Sequence, residues 1–297
     1  SSLATSNSGE FGSGTEFLPL SWQSLHHDIS LVDSEIQPSV IAITDAPQLS
    51  NSGGKLAEAL DAVRRRFPSS LIWAPGIAGP DNCAVLSWLG VDLFDLSRSR
   101  IANANGLLLT SDGPRYADHS LGEQVNMEAQ LEHWRYSIAS LRSAIRSGTV
   151  RELTEKSSLS SPRSVERLRR HDTLTSSNKG RSNLTAVDTS GRKLRYNSPI
   201  SRQDPLVNDW RKRISSSHTP PSHQEQILIL LPCSATKPYR LSQSHHRFLR
   251  NIPSNRAHQI MVTSPLGLVP RELEDLWPAA HYDIPVTGDW DADELEM

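Results

Sequence analysis

The stretch LIWAPGIAGPDNCAVLSWLGVDLFD, residues 71–95, carries the clearest fold signal in this 297-residue chain. Its apolar beginning, 71–75, is typical of a buried strand, and residues 81–90 have the N-cap and the stop of a short helix. Residues 91–95 then predict a second strand, and an amphipathic helix is predicted upstream over 55–67. Helix, strand, helix and strand with tight connections indicate βα units around a parallel sheet.

The rest of the chain shows the same mixture of short apolar strands and amphipathic helices. A long helix is predicted over 123–147, because its apolar residues alternate spacings of three and four and form one packing stripe. The other predicted helices cover 163–170, 204–214 and 271–276, and the other predicted strands cover 227–231, 259–264 and 282–286. These elements place the chain in the α/β class.

Shifts in composition divide the chain into four parts. Residues 1–20 are small, polar and without periodicity, and we predict that they are disordered. Residues 173–202 are rich in Ser, Arg and Asn, which predicts a linker. We expect an N-terminal domain over 21–172 and a C-terminal α/β domain over 203–297.

Cysteine content and hydropathy exclude several classes of protein. The two cysteines, Cys83 and Cys233, lie far apart in sequence, so we expect neither a disulfide framework nor a cysteine-based zinc site. No apolar run approaches the ~18 residues of a membrane span, and no signal peptide is visible. The sequence therefore predicts a cytoplasmic protein with no membrane partner.

Charge is distributed unevenly, although the net charge is only −2. Residues 135–213 contain 18 Lys or Arg against 7 Asp or Glu, whereas residues 271–297 contain one Arg against nine acidic residues. A basic segment of this kind is typical of a surface that contacts phosphates, and we predict that Arg167, Arg169 and Arg170 bind RNA. A solvated, arginine-rich linker is the alternative, and it stays open here.

The segment LPCSATKPYRLSQSHHRF, residues 231–248, combines several reactive side chains directly after an apolar strand. Cys233, Lys237, Tyr239 and His245 fall within thirteen positions. Ligands of open α/β sheets bind beyond the carboxyl ends of the strands, and a nearby cation would lower the pKa of a thiol there. These four residues are predicted to be catalytic. The alternative is a buried structural cysteine beside a solvated loop.

Two further polar loops follow strands, over 263–274 and 281–290. A glycine in the first permits close backbone approach, and Pro270 fits the start of a helix whose free N–H groups would face an anion. Three polar loops on consecutive strand ends predict one pocket. The predicted substrate-binding residues are Ser234, Ser242, Ser244, Thr263, Ser264, Gly267, Glu272, Tyr282, Asp283 and Thr287.

The motif PCSATKPYRLSQSH, residues 232–245, resembles the PCSxxKPYxxSxSH signature of the archaeosine synthase family, relatives of archaeal tRNA-guanine transglycosylase. The two following loops are similar to that family too, and the resemblance covers roughly residues 203–297. Residues 71–113 resemble the late strands of the transglycosylase barrel, within a weaker resemblance over 55–172. The implied fold is α/β, with a partial or degenerate (β/α) barrel-like N-terminal domain and a smaller C-terminal α/β domain.

The resemblance implies an enzyme of archaeosine biosynthesis in tRNA. Such enzymes add an amine to the nitrile of 7-cyano-7-deazaguanine in the tRNA D-loop, with free lysine or glutamine as the donor. A radical-SAM subunit is the implied partner that forms archaeosine from the amidine, and no cofactor is implied. A non-catalytic tRNA-binding module is the first alternative, and base exchange through Asp95 is the second.

The N-terminal part departs from the transglycosylase pattern in two respects. Asp95 falls where that pattern has its aspartate nucleophile, but the sequence before it does not match the half-barrel that holds the base. We favour a capping or surface role for Asp92 and Asp95. The segment 114–127 contains no cysteine where transglycosylases have a zinc cluster, so no metal is expected.

Two routes to the amidine remain open at this point. Cys233 attacks the nitrile to give a thioimidate, or the amine attacks directly in a pocket organised by Ser234, Lys237 and Ser244. His245 or Tyr239 is the predicted acid for the nitrile nitrogen.

Overall fold

The computed structural model describes residues 16–27, 36–52, 54–177, 193–252, 256–286, 290 and 295. The chain divides into two units, Ser1–Leu174 and Thr175–Met297. Thr287, one of the predicted substrate-binding residues, lies outside the described residues.

A three-stranded parallel sheet organises the first unit. Its strands are β1 (Phe17–Leu20), β2 (Val40–Ile43) and β3 (Leu71–Trp73), in the order β1-β2-β3. The predicted parallel sheet is confirmed. Phe17–Leu20 was predicted to be disordered, and this was wrong, because the segment pairs with β2 and its alternate residues Leu18 and Leu20 are buried.

Eight α-helices are described in this unit. Their bounds are α1 (Trp22–His27), α2 (Ala46–Ser50), α3 (Lys55–Arg66), α4 (Cys83–Trp88), α5 (Ser97–Ala104), α6 (Met127–Ser147), α7 (Val150–Ser158) and α8 (Pro162–Ser177). Strands β4 (Leu108–Thr110) and β5 (Gly113–Arg115) form an antiparallel hairpin. Helix α8 continues through the start of the predicted linker.

Helix α6 shows how the sequence sets the ends of an element. The side chain of Asn126 accepts a hydrogen bond from the Ala129 amide at 2.8 Å, and Gly148 ends the helix with φ +69°. Trp134 and Leu141 of the predicted stripe are buried, whereas Ile145 is exposed. The predicted packing face is therefore correct over most of its length.

The predicted strand over 91–95 is reduced to a single bridge between Leu93 and Trp73. The amides of Asp92 and Leu93 both donate to the Ile72 carbonyl, and the Ile72 amide donates to the Asp92 carboxylate at 2.8 Å. These bonds replace the regular ladder that a strand needs. No closed barrel is seen in the described part of the chain, which has three paired strands and this bridge at the corresponding place.

The second unit contains a mixed three-stranded sheet. The strands described in this unit are β6 (Leu194–Arg195), β7 (Ile227–Pro232), β8 (Ala257–Thr263), β9 (Gly267–Pro270) and β10 (Tyr282–Asp283). Its α-helices are α9 (Pro205–Ser217) and α10 (Gln243–Asn251). Strand β8 is central, with β7 parallel and β9 antiparallel to it, while β6 and β10 form a separate parallel pair.

Strand β7 differs from its predicted character. The sequence predicted a fully buried strand, but Leu228 is 59% and Leu230 is 58% exposed. Only Ile229 and Leu231, which alternate with them, pack against the core of the unit. Strand β7 pairs on one edge and is covered on one face, so the apolar run predicted the strand but not its burial.

The predicted helix over 271–276 is a single 3₁₀ turn, Arg271–Leu273. It offers no run of free N–H groups comparable to an α-helical N-terminus, so the predicted anion site at Pro270 is not formed there. Gly267 has φ +74° at the start of β9, where it lies opposite Thr263 in the tight β8–β9 hairpin. Its role is therefore in the turn.

Among the described helices, none is both long enough and apolar enough to span a bilayer.

Candidate functional site

The site begins where strand β7 ends. Pro232 lies opposite Val262 in the parallel register, so Cys233 leaves the sheet beside Thr263, the last residue of β8. Cys233 is a free, half-buried thiol that packs against the core of the second unit. The register therefore places the thiol at the sheet end where the sequence predicted a ligand site.

Lys237 is the most unusual side chain in this region. Its ammonium nitrogen is buried and meets no hydrogen-bond acceptor in the part of the chain that the structure describes. It lies 4.3 Å from the ring centroid of Tyr282, within cation–π range. Burial lowers the pKa of Lys237 below its ordinary value, and the charges of Asp283 and Cys233 oppose that shift. A buried cation without an acceptor is costly, which marks it as available to a ligand.

Three hydroxyl groups form a buried cluster below this lysine. The hydroxyl of Tyr239 lies 2.5 Å from that of Tyr282 and 3.2 Å from Thr263 Oγ1, and the Thr263 and Tyr282 oxygens are 2.5 Å apart. Burial raises the pKa of Tyr239 to about 12 and raises that of Tyr282 well above its ordinary value. The cluster is therefore uncharged at neutral pH and polar only through its hydroxyl groups.

His245 is buried beside the same strand end. Its Nε2 lies 3.0 Å from the Pro232 carbonyl, which can only accept, so Nε2 carries the proton. Its Nδ1 then accepts from the Arg271 guanidinium at 2.9 Å. Burial, followed by the charge of Arg271, lowers the pKa of His245, although the Pro232 carbonyl opposes the shift. With both nitrogens engaged, the neutral ring holds the residue before Cys233 in place.

The serines of the motif shape the backbone. Ser242 caps helix α10 by accepting from the His245 amide at 3.2 Å, and its hydroxyl lies 3.1 Å from that of Ser244. Ser234 Oγ accepts from the Thr236 amide at 3.3 Å, and the Ser264 carbonyl accepts from the Thr263 hydroxyl at 3.2 Å. These bonds hold the loop that carries Cys233 and Lys237.

The structure brings together part of the predicted set. Contacts and charge interactions connect Cys233, Lys237, Tyr239, Thr263, Tyr282 and Asp283. Glu272 is separate, because its carboxylate contacts His258 near the start of β8. Arg271 was not predicted, and nothing in its local sequence indicates that its side chain reaches His245 across 26 positions.

The three predicted RNA-binding arginines differ in their surroundings. Arg167 is buried and donates to the carbonyl and the hydroxyl of Ser50, and Arg170 pairs with Glu58. Arg169 is exposed, and within the described ranges its guanidinium has no recorded ion pair. The structure uses two of the three in packing, so RNA binding stays a prediction that fits Arg169 best.

Asp92 and Asp95 are engaged in local structure. Asp92 pairs with Arg64 at 2.7 Å. Asp95 accepts from the Gly76 amide at 2.8 Å, the Ser97 amide at 2.8 Å and the Trp73 indole at 3.2 Å. Burial acts to raise the pKa of Asp95, but bonds from Ser97, Gly76 and Trp73 outweigh it and lower the pKa. Asp92 thus serves an ion pair beside β3, and Asp95 accepts from the first residue of α5, which fits the favoured capping or surface role better than a nucleophile.

Sequence comparisons identify relatives of this chain. The family model described as a domain of unknown function (DUF5591) matches residues 207–297, which contain the whole thiol–lysine region. The protein named archaeosine synthase subunit alpha in Methanosarcina acetivorans is 32% identical over 302 aligned positions, covering 88% of this chain and 45% of the relative.

Two further relatives extend this finding. Archaeosine synthase subunit alpha of Thermoplasma acidophilum is 35% identical over 232 positions, covering 77% of this chain and 43% of the relative. Archaeosine synthase of Haloferax volcanii is 32% identical over 241 positions, covering 74% and 39%. The chain spans less than half the length of these curated relatives.

The fold and the site define a two-unit α/β protein with a thiol and a buried lysine at a strand end. The sequence relationships assign it more narrowly: the chain belongs to the archaeosine synthase family. The resemblance of the 232–245 motif to that family is confirmed.

Proposed function

We propose that this chain is a tRNA-modifying enzyme of archaeosine biosynthesis. It adds an amine to the nitrile of 7-cyano-7-deazaguanine in the D-loop of tRNA, with free lysine or glutamine as the nitrogen source. Relatives named archaeosine synthase support the pathway. The observation that carries the site assignment is the buried ammonium of Lys237, which lacks a hydrogen-bond acceptor among the described residues and lies in the same loop as Cys233.

In the first step of the proposed reaction, the Cys233 thiolate attacks the nitrile carbon. An S–C bond forms, one π bond of the C≡N group breaks, and the nitrogen takes a proton from the Lys237 ammonium, which gives a thioimidate. A nitrile is a weak electrophile until its nitrogen is hydrogen-bonded or protonated, so the acid is as important as the nucleophile.

In the second step, the neutral amine attacks the same carbon. The new N–C bond forms, the C–S bond breaks, the Cys233 thiolate leaves, and the released proton returns to Lys237. The product is the amidine, and both side chains regain their initial states. The pKa of Lys237, lowered by burial, makes its ammonium a stronger acid than an exposed lysine.

The neighbouring groups support Cys233 as the nucleophile and Lys237 as the acid. The hydroxyl cluster of Tyr239, Thr263 and Tyr282 gives the pocket a polar but uncharged floor. His245 is proposed as a positioning residue, because both of its nitrogens are already bonded. Tyr239 is less suited than Lys237 as the acid, since its pKa is about 12.

Direct attack by the amine, without a covalent step, is the second route. It uses the same Lys237 acid and differs only in that Cys233 would shape the pocket. Base exchange through Asp95 has less support, because three donors already engage that carboxylate. A radical-SAM partner that acts on the amidine, and a cytoplasmic location, complete the proposal.

The test is conversion of tRNA carrying the cyano base. Purified chain is incubated with that tRNA and either lysine or glutamine, and the nucleosides are analysed by mass spectrometry. We expect a mass increase equal to that of the added amine with one donor, and no product without any donor. Loss of the cyano base with no amidine, or an unchanged tRNA with both donors, would contradict the proposal.

A further inference from the structure

A second cluster of reactive side chains lies in the same unit, away from Cys233. His218 follows helix α9, His258 is the second residue of β8, and Glu272 lies in the 3₁₀ turn after β9. We propose that these three residues form a binding site for a divalent transition-metal ion of the Zn²⁺ type. This inference does not depend on the proposed nitrile chemistry.

The distances between the three ligand atoms fit one ion. His218 Nε2 and His258 Nε2 are 3.5 Å apart, and Glu272 Oε1 lies 3.2 Å from the first and 3.0 Å from the second. Ligands at 2.0–2.1 Å in a tetrahedral site are separated by about 3.3 Å. All three atoms therefore already stand close to the corners of one face of such a site.

The donor chemistry selects the class of ion. Two imidazole nitrogens and one carboxylate oxygen suit Zn²⁺ and its transition-metal neighbours, whereas Mg²⁺ and Ca²⁺ prefer oxygen ligands only. The two imidazole rings stack with centroids 5.4 Å apart, and their Nε2 atoms both contact Glu272 Oε1. Their common target, Glu272, supplies the negative charge that a dication needs.

Burial leaves one side of the cluster open. The side chain of His258 is 6% exposed and that of His218 is 14% exposed, but that of Glu272 is 32% exposed. Two ligands are thus held by the protein while the third faces solvent. A three-ligand site of this kind leaves a fourth position for water.

The cluster is separate from the thiol–lysine pocket. His258 pairs with Leu228 in the β7–β8 register, whereas the thiol follows Pro232, four residues further along β7. At the rise of a β-strand this is a backbone separation of about 13 Å. Glu272, predicted to bind substrate, therefore has a different role, in which it ties the 3₁₀ turn to α9 and β8 through the ion.

The test measures metal directly and requires no tRNA. The full chain is stripped with chelator, dialysed against Zn²⁺, and its metal content is determined; Co²⁺ is used in parallel for its visible absorption. We expect about one Zn²⁺ per chain and an intense tetrahedral Co²⁺ spectrum. Glu272→Gln, which keeps the size and an acceptor oxygen, and His258→Ala are each expected to weaken affinity about tenfold or more.

His223→Ala is the matched control, since this exposed histidine lies five residues after His218. It is expected to keep full metal content. Zn²⁺ binding by the wild type no greater than by the His218→Ala/His258→Ala double variant would overturn the proposal. Equal loss in His223→Ala, or displacement of Zn²⁺ by millimolar Mg²⁺, would also overturn it, and circular dichroism of each variant excludes misfolding as the cause.

Discussion

Two strand ends in this chain carry reactive side chains, and they differ in whether those side chains are already satisfied. In the first unit, Asp95 follows the Leu93–Trp73 bridge and accepts three hydrogen bonds, from Trp73, Gly76 and Ser97. After β7 in the second unit, Lys237 is buried without an acceptor among the residues described, and Cys233 is a free thiol. The sequence made both ends candidates, Cys233 and Lys237 by their place after a strand and Asp95 by the resemblance to the transglycosylase pattern. The comparison teaches that the end with unused bonding capacity is the better candidate for chemistry, which is the basis of the proposal.

Substitutions of Cys233 and Asp95 should show the largest difference between the two strand ends. Cys233→Ala is expected to lower amidine formation on cyano-tRNA by at least about 100-fold, because it removes the nucleophile. Asp95→Asn is expected to leave turnover within about twofold, with any loss confined to stability.

Cys83→Ala is the matched thiol control, measured in the same single-turnover assay. Burial raises the pKa of Cys83 to about 12, so its thiol is not a nucleophile at neutral pH. Equal losses in the Cys83 and Cys233 variants, or a larger loss in Asp95→Asn, would reverse the assignment of the two strand ends.

Lys237→Met removes the acid and keeps the volume of the stem. We expect a folded protein whose turnover falls by about 100-fold, in the range typical of a lost general acid. Lys212→Met, at an exposed lysine of helix α9 in the same unit, should retain near-normal turnover. Near-normal activity in Lys237→Met would remove Lys237 from the mechanism.

His245→Ala should sharpen the distinction between reacting and positioning groups. It removes the partner of the Pro232 carbonyl and one of the acceptors of the Arg271 guanidinium, and we expect a loss of about 1–3 kcal/mol in the free energy of unfolding. The neighbouring, exposed His246→Ala should change it by less than about 0.5 kcal/mol. Urea denaturation measures both, and equal stability of the two variants would contradict the bracing role.

Stability against pH gives a smaller effect with a defined sign. Burial lowers the pKa of Lys237 in the folded chain below the 10.5 of the unfolded chain. Between those two values the unfolded chain binds more protons, so this lysine makes stability rise with pH there, whereas below the folded pKa its unfavourable contribution is constant. The advantage of Lys237→Met over wild type should therefore shrink from pH 7 to pH 10. An advantage that grows with pH would show that Lys237 is not buried as a cation.

The smallest effect is expected at the basic surface. Arg169→Gln should weaken tRNA binding and lower the slope of log affinity against log salt by about 1. Arg167→Gln should instead reduce stability with little change in slope, because Arg167 is bonded to Ser50. Equal slopes in wild type and Arg169→Gln would show that Arg169 makes no phosphate contact.

Local sequence patterns predicted the elements whose ends and faces are set by residues close together in sequence. Helix α6, bounded by Asn126 and Gly148, and strand β3 follow from caps and apolar spacing, whereas its sheet partners β1 and β2 were not predicted. The exposure of Leu230 was not predictable, because an apolar run of this kind is compatible with a strand buried on both faces and with one that has an exposed face.

Long-range contacts limited the prediction of the site in the same way. The 232–245 motif indicated the thiol, the lysine and the strand end. It could not indicate that the Lys237 ammonium lies over the Tyr282 ring, or that Glu272 turns toward His258, since these pairs are set by how separate loops return to the sheet.

The central claim is that Cys233 bonds to the nitrile carbon, and the most direct test is to trap that bond. Wild-type chain is mixed with cyano-tRNA without any amine donor, the RNA is digested, and the protein mass is measured with peptide sequencing. The account predicts an adduct on Cys233, none on Cys83, and its disappearance when the amine is added. Full conversion of the tRNA with the amine, together with no adduct at any time in its absence, would contradict it.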